Sequence, residues 1–233
     1  MLEESAKLSV QTAGSLSAAQ RILPILWNIK SFQKVVDVGC GSGAWLHVSE
    51  KLGASVVFGV DGFHKFEEPL LVRGDRIQIA DLEKALAIGE TFDLCVCVEV
   101  AEHLTPGRAL TFIGDLTLLS DIILFSAAIP FQGGQSHLNE QWPEYWAELF
   151  QKSGFKLWDG LRGKIWTDYQ IPWWYRQNIL LFVKENRWAE VMADRLPSNP
   201  KVLSIVHPEC FLWRKSQSQN ALQRLDSHWS PTN

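Results

Sequence analysis

Along the chain two kinds of apolar pattern alternate. Residues 15–30, SLSAAQRILPILWNIK, carry apolar positions at helical spacing and predict an amphipathic helix broken or kinked near Pro24. Short β-branched runs follow at steady intervals: KVVDVG, SVVFGVD, RIQIAD, FDLCVCV, DIILFSA, FKLWDG and NILLFVK. Helical patterns such as SGAWLHVSEKLG, GRALTFIGDLTLL and WPEYWAELFQKSG lie between them. Near-continuous apolar strands alternating with helices predict an α/β fold with a mostly parallel sheet covered on both faces. The aromatic loop from Leu161 to Gln177 has no evident crossover helix, which suits a terminal antiparallel pair. Beyond Glu185, ENRWAEVMADRL reads as helical, SNPKVLSIVHPECFLWRK as irregular and the remainder as polar. The organisation expected is an N-terminal helical cap (1–30), a central domain (31–185) and a tail (186–233) packed on the domain and fraying at its end.

Composition narrows the partners. An apolar share of 46% and a charged share of 21% are those of an ordinary globular protein, and a formal charge of −4 gives no basic footprint for nucleic acid. The start, MLEESAKLSV, has no apolar core of signal-peptide length, and no run approaches a membrane span, so a cytoplasmic protein is expected. Four cysteines without paired ligand spacing read as reduced structural thiols. Most of the eleven tryptophans lie after residue 140, where they either close a core or offer a flat wall to a ligand.

The first strand runs into VVDVGCGSGAWL. Gly39, Gly41 and Gly43 stand where a strand turns into a helix, and their missing side chains let backbone amides approach a polar ligand. By spacing alone the loop is ambiguous, because Gly39, Gly41 and Ala44 also fit a dinucleotide fingerprint. Further acids recur at strand ends: Asp37 before the first glycine, Asp61 after the second strand, Asp81 after the third and Glu99 after the fourth. An acid in the place of Asp61 can accept both hydroxyls of a ribose.

Together DVGCGSG, GVD, ADL and VEVAEHL resemble the class I S-adenosylmethionine-dependent methyltransferases over roughly residues 30–185. The resemblance implies a Rossmann-like seven-stranded sheet with its last strand antiparallel, and S-adenosylmethionine as cofactor. It places Asp37, Gly39, Cys40, Gly41 and Gly43 at the methionine end, Asp61 at the ribose, Asp81 with Leu82 near the adenine, and Glu99 beside them.

Glu99, Glu102 and His103 lie within five residues at the end of the fourth strand, at spacings that let side chains converge. Read plainly, Glu99 gives the cofactor backbone contacts and Glu102 is a first-turn carboxylate favoured by the helix dipole. Read functionally, they need a partner, and His137, in a glycine-loosened loop after the fifth strand, can face His103. A histidine beside an acceptor hydroxyl removes its proton near neutral pH, so His137 and then His103 are the candidate catalytic bases. Glu99, Glu102, His103 and His137 also form a candidate set for a divalent metal. The order E-x-x-E-H with a later histidine resembles the metal-dependent small-RNA 3′-terminal 2′-O-methyltransferases, although the basic surface of an RNA binder is missing.

The late sequence is similar to small bacterial methyltransferases of surface-sugar and natural-product pathways. Trp142, Tyr145, Trp166, Tyr169, Trp173 and Trp174 offer an aromatic wall there, with Arg176 and Asn139 as polar handles. The function expected is methyl transfer to a hydroxyl of a small-molecule acceptor, a sugar or natural-product metabolite. The rivals are the RNA enzyme, a nicotinamide-dependent oxidoreductase and a non-catalytic binding domain. Acceptor and oligomeric state are not readable from the sequence.

Overall fold

The computed structural model describes residues 8–62, 69–198 and 203–228. Seven strands form one sheet: β1 (Lys34–Val38), β2 (Val56–Asp61), β3 (Ile77–Ile79), β4 (Leu94–Val98), β5 (Ile122–Ser126), β6 (Phe155–Trp158) and β7 (Leu180–Lys184). Their order is β3-β2-β1-β4-β5-β7-β6. The strands from β1 to β5 pair in parallel, whereas β7 runs antiparallel to both β5 and β6. The order turns back between β1 and β4, and open α/β sheets bind ligands beyond the carboxyl ends of the strands at such a point.

Because strand side chains alternate between faces, each strand feeds two cores. Val35, Leu94, Val96 and Leu124 pack against α1 (Val10–Trp27) and α2 (Ala44–Lys51) on one face. Val36, Cys95, Cys97, Ile123 and Phe125 pack against α3 (Ala109–Leu119) and α4 (Pro143–Lys152) on the other. The rings of Phe150 and Phe182 stack with centroids 3.9 Å apart.

Three local expectations change. Helix α1 starts earlier than the apolar pattern suggested, because the Ser9 side chain caps it by accepting the Thr12 N–H at 3.1 Å. It also runs through Pro24, whose carbonyl still accepts the Asn28 N–H at 3.0 Å. The aromatic loop holds two short helices, α5 (Arg162–Ile165) and α6 (Trp173–Asn178). After α7 (Trp188–Met192), the segment read as irregular and polar contains the 21-residue helix α8 (Pro208–His228). No apolar stripe announces α8; Pro208 in its first turn and a run of Lys, Gln, Ala, Leu and Arg supply local propensity instead. The expectations for residues 1–7 and for fraying at 229–233 lie outside the described residues.

Buried arginines fasten the loops. Arg108 donates to the Leu82 and Lys84 carbonyls and pairs with Asp115, fixing the 82–84 turn beside α3. Arg162 pairs with Asp159 at 2.6 Å and donates to the Gln177 and Leu203 carbonyls, tying the C-terminal segment to the sheet.

Replacing Phe150 with alanine removes one ring of the stacked pair and leaves a cavity with no room to collapse. The unfolding free energy should fall by about 3–5 kcal/mol, read from a denaturant titration at unchanged slope.

Candidate functional site

The glycine loop is held by its neighbour strand. Gly39 N–H donates to the Val60 carbonyl at 2.7 Å and Gly41 N–H to Asp61 Oδ2 at 2.8 Å. Gly39 has φ of +80°, and a Cβ there would meet Val100 Cγ2 at 2.3 Å, so only glycine fits. Gly41, with φ of +51°, faces open space: a Cβ would meet nothing within 4 Å. Cys40 turns its thiol under the loop toward Gly59, burial pushes that thiol up, and its main chain closes the turn, donating to the Val60 carbonyl at 3.2 Å and accepting the Gly43 N–H at 2.8 Å.

Just before the loop, in β1, lies Asp37, 1% exposed, with neither carboxylate oxygen hydrogen-bonded. Burial first, and the Asp61 charge second, push its carboxyl well above the usual range. A buried carboxylate without a donor, at the strand end that opens the glycine loop, is built to meet a donor-rich or cationic group from outside the chain. Asp61, also buried, shares the same edge. Asp81 is different: it is exposed, accepts the Glu83 N–H at 3.0 Å and pairs with Lys84 at 3.3 Å, and the Glu83 N–H first, then Lys84, hold it below the usual range. Leu82 is partly buried against the second core.

Glu99 follows β4 in a left-handed backbone conformation, φ +54°, which costs a non-glycine residue on the order of 1–3 kcal/mol. Its main-chain N–H donates to the Ser126 carbonyl at 3.0 Å and lies 3.1 Å from the Ser126 hydroxyl. Its carboxylate accepts from Gln132 Nε2 at 3.1 Å and from Asn178 Nδ2 at 3.1 Å. Burial raises this carboxyl, and those donors oppose the rise.

Glu102, in the one-turn 3-10 helix Ala101–His103, is 1% exposed. Neither of its carboxylate oxygens meets a donor in hydrogen-bond geometry. Burial, then the charge of the facing Glu99, push it well above the usual range, while the backbone amides of Glu102 and Ala128 lie near enough to oppose the rise in part. The Glu102 carbonyl accepts the N–H groups of Leu138 (2.7 Å) and Asn139 (2.9 Å), which stitches the loop after β5 to the end of β4. That stitch sets the His103 and His137 rings 4.9 Å apart at 86°.

Both tautomers follow from the partners. His103 Nδ1 lies 3.4 Å from the Ser136 carbonyl and His137 Nδ1 lies 2.9 Å from Glu140 Oε1. Each Nδ1 faces an acceptor and so carries a proton. Burial, then His137, hold His103 below its ordinary value, favouring the neutral ring. One ligand atom each from Glu102, His103 and His137 lie within 4.8 Å of one another. Glu99 is not one of this group; its carboxylate is turned into the amide contacts above, so the four-residue set reduces to three.

Glu140 was not singled out in the sequence. It accepts from Phe131 N–H (2.7 Å), Gly133 N–H (2.8 Å) and His137, fixing both the loop and the imidazole. Its only trace in the sequence is the spacing of three after His137. The aromatic wall is partly overturned. Arg176 is 1% exposed and spends its donors on the Ile171 and Trp166 carbonyls and Glu209, so it is no polar handle. Asn139 is buried as well, while Trp142 and Tyr169 remain exposed. A cleft lined by Lys34, Asp93, Ser120 and Lys184 lies at the opposite edge of the sheet, and its lysines are paired with Glu90 and Asp121.

Comparison with known proteins bears on this edge directly. Residues 13–117 match a family model described as a methyltransferase domain. The mitochondrial ubiquinone biosynthesis O-methyltransferase of Rattus norvegicus is 37% identical over 182 residues, covering 65% of this chain and 52% of the rat protein. The chain thus spans about half of that relative, and 23% and 21% of its mouse and human counterparts. Magnesium protoporphyrin IX methyltransferase of Synechocystis PCC 6803, solved with S-adenosylhomocysteine, superimposes with a TM-score of 0.53 at 18% identity, covering 77% of this chain and 90% of that one. CalS10, an amino pentose methyltransferase of Micromonospora echinaspora solved with S-adenosylmethionine, gives 0.54 at 12% identity, covering 78% and 100%. Residues 13–117 are thus similar to methyltransferase domains, and the chain has the fold of the class I S-adenosylmethionine-dependent methyltransferases.

Asp37 links this edge to stability. In the folded chain its carboxyl keeps a proton at pH values where the unfolded chain has lost it, so stability is full below the ordinary value of 3.8 and falls as pH rises toward the raised native value. Asp37→Asn should therefore raise the melting temperature of the ligand-free protein by about 3 °C or more at pH 7.5 and leave it unchanged at pH 3.5. Equal shifts at both pH values would show that Asp37 is not buried as a proton-holding acid.

Proposed function

We propose that the chain transfers the methyl group of S-adenosylmethionine to a hydroxyl oxygen of a small-molecule acceptor, a sugar or natural-product metabolite. The observation that carries this reading is the buried, donor-less Asp37 carboxylate at the end of β1, at the same sheet edge as the paired His103 and His137 rings. Gly39, Gly41, Gly43 and the Cys40 main chain would cradle the methionine end, with Asp37 beneath it. Asp61 would take the ribose, and Asp81 with Leu82 would border the adenine. The bound sulfonium supplies an electrophilic methyl group.

The chain supplies position and a base. His137 accepts the proton of the attacking hydroxyl at Nε2, and Glu140 on Nδ1 stabilises the imidazolium that results. His103 stands beside it as a second acceptor. Residues 31–185 would carry the chemistry, with the described parts of 1–30 and 186–233 shaping its surroundings. Hydroxyl acceptors are supported by the rat relative's name and sugar acceptors by that of CalS10. No helix among the described residues is long and apolar enough to cross a membrane, and all four cysteines are free, which suits a reducing cytoplasm.

A second reading rests on the convergence of Glu102, His103 and His137. Two imidazoles and a donor-less carboxylate suit a divalent cation, which would polarise the acceptor hydroxyl in place of a free base.

Calorimetric titration of the chelator-treated protein with S-adenosylhomocysteine, with and without manganese, tests both. Micromolar affinity is expected, and Gly41→Arg should abolish it; no binding in any condition would remove the proposal, and a manganese-dependent heat lost in Glu102→Gln would favour the metal. His137→Ala should leave that affinity unchanged and slow turnover of sugar acceptors by about 10²-fold or more, and unaltered turnover would take His137 out of the reaction.

A further inference from the structure

One polar chain is left unused by this scheme. Gln132, Gln177, Asn178 and His207 are each at most 4% exposed, and they connect the C-terminal segment to Glu99. The His207 main-chain N–H donates to Gln177 Oε1 at 2.8 Å. A main-chain N–H can only donate, so this contact fixes which way the Gln177 amide points. Gln177 Nε2 is thereby turned toward Gln132 Oε1 (3.2 Å) and Asn178 Oδ1 (3.0 Å). Gln132 Oε1 also receives Asn178 Nδ2 at 2.9 Å, which leaves Gln132 Nε2 for Glu99 Oε2 and the remaining Asn178 N–H for Glu99 Oε1. Every amide in the series has one orientation, set by the His207 N–H at one end and, nearer Glu99, by the Ile129 N–H, which donates to Gln132 Oε1 at 3.3 Å.

The His207 end is itself anchored. His207 Nδ1 lies 3.2 Å from the Glu209 N–H, and its Nε2 lies 3.1 Å from both the Arg176 guanidinium and the Trp166 carbonyl. Arg176 holds Glu209 at 2.7 Å. The Leu203 carbonyl is bound by Arg162. The segment before α8 is therefore fastened from both sides.

We propose that Gln177, Gln132 and Asn178, oriented by the His207 N–H, form a positioning relay that holds the Glu99 carboxylate in place as a fixed anion at the cofactor edge. The inference rests on the methyl-donor reading above. Glu99 adjoins Val100, whose side chain closes against Gly39 of the glycine loop, and the Glu99 and Asp37 carboxyls both act on the Tyr175 hydroxyl, which puts the Glu99 charge at the same edge as the loop. Such a charge favours a sulfonium over the neutral thioether left after transfer, since only the former is a cation at sulfur. The relay would then make the site prefer methyl donor to demethylated product, and the C-terminal segment, more than 75 residues away in sequence, would set that preference.

The test compares affinities for S-adenosylmethionine and S-adenosylhomocysteine by calorimetry in the full chain. Gln177→Met and Gln132→Met keep side-chain length and remove the relay's donors. Each should weaken S-adenosylmethionine about tenfold and S-adenosylhomocysteine by less than about twofold. Equal weakening of both ligands, or of neither, would overturn the relay and leave a structural network. Should one variant lose the wild-type circular dichroism spectrum, the other decides; loss in both counts against the proposal, because the amides would then serve the fold alone. Restoring the wild-type ratio with Gln177→Asn is not expected, since the shorter chain cannot span His207 and Gln132, and a restored ratio would overturn the geometry. Wild-type protein that binds neither ligand would instead sink the methyl-donor reading on which the relay depends.

Discussion

Three carboxylates, Asp37, Glu99 and Glu102, are buried at the carboxyl edge of the sheet, and none has a cation of the chain among the causes that set its charge. Desolvating an acid is among the costliest things a fold does, and a chain that keeps three such groups together needs a reason at that edge. The parallel sheet brings them there: β1 and β4 are neighbours, with Asp37 level with Val96, so the acids at and beyond their carboxyl ends lie at one edge. The fold thus concentrates charge first and resolves it by local contacts second.

The resolution differs for each acid. Glu99 receives side-chain donors from Gln132 and Asn178; Glu102 receives none in good geometry; Asp37, at the end of β1, receives none. Environments that push like groups apart in this way are how one site holds both an anion and a proton. The same edge also stores strain, in the left-handed backbone of Glu99, and the Ser126 contacts and the amide network over-determine it.

Much of this was legible in the sequence. Strand count, the late antiparallel pairing and the glycine turn follow from period-two apolar runs and from residue types that permit one conformation. The nearness of His103 and His137 followed from the strand order that the motifs imply. What could not be read depends on contacts with no local signature. Glu140 matters because a loop folds back on the Glu102 carbonyl, and Gln132, Asn178 and Gln177 matter because residues 33, 79 and 45 positions apart meet. Arg176, read as a handle for a ligand, is instead an internal tie, since nothing in its neighbours reveals that Glu209 returns to cover it. Helix α8 stayed hidden for a related reason: it lacks the apolar stripe that marks a core helix.

The C-terminal segment therefore cannot be treated as an appendage. A tail that merely covered the domain would be fastened by apolar contacts, which tolerate sliding and repacking. This one is fastened by hydrogen bonds of fixed polarity, from the Leu203 carbonyl to Arg162 and from the His207 N–H to Gln177, and such contacts permit one register only. The same series runs from the segment to Glu99, with the Ile129 N–H on Gln132 Oε1 holding its last link. The physical consequence is that the part of the chain least legible as structure is bonded, through three buried amides, to the part most legible as chemistry.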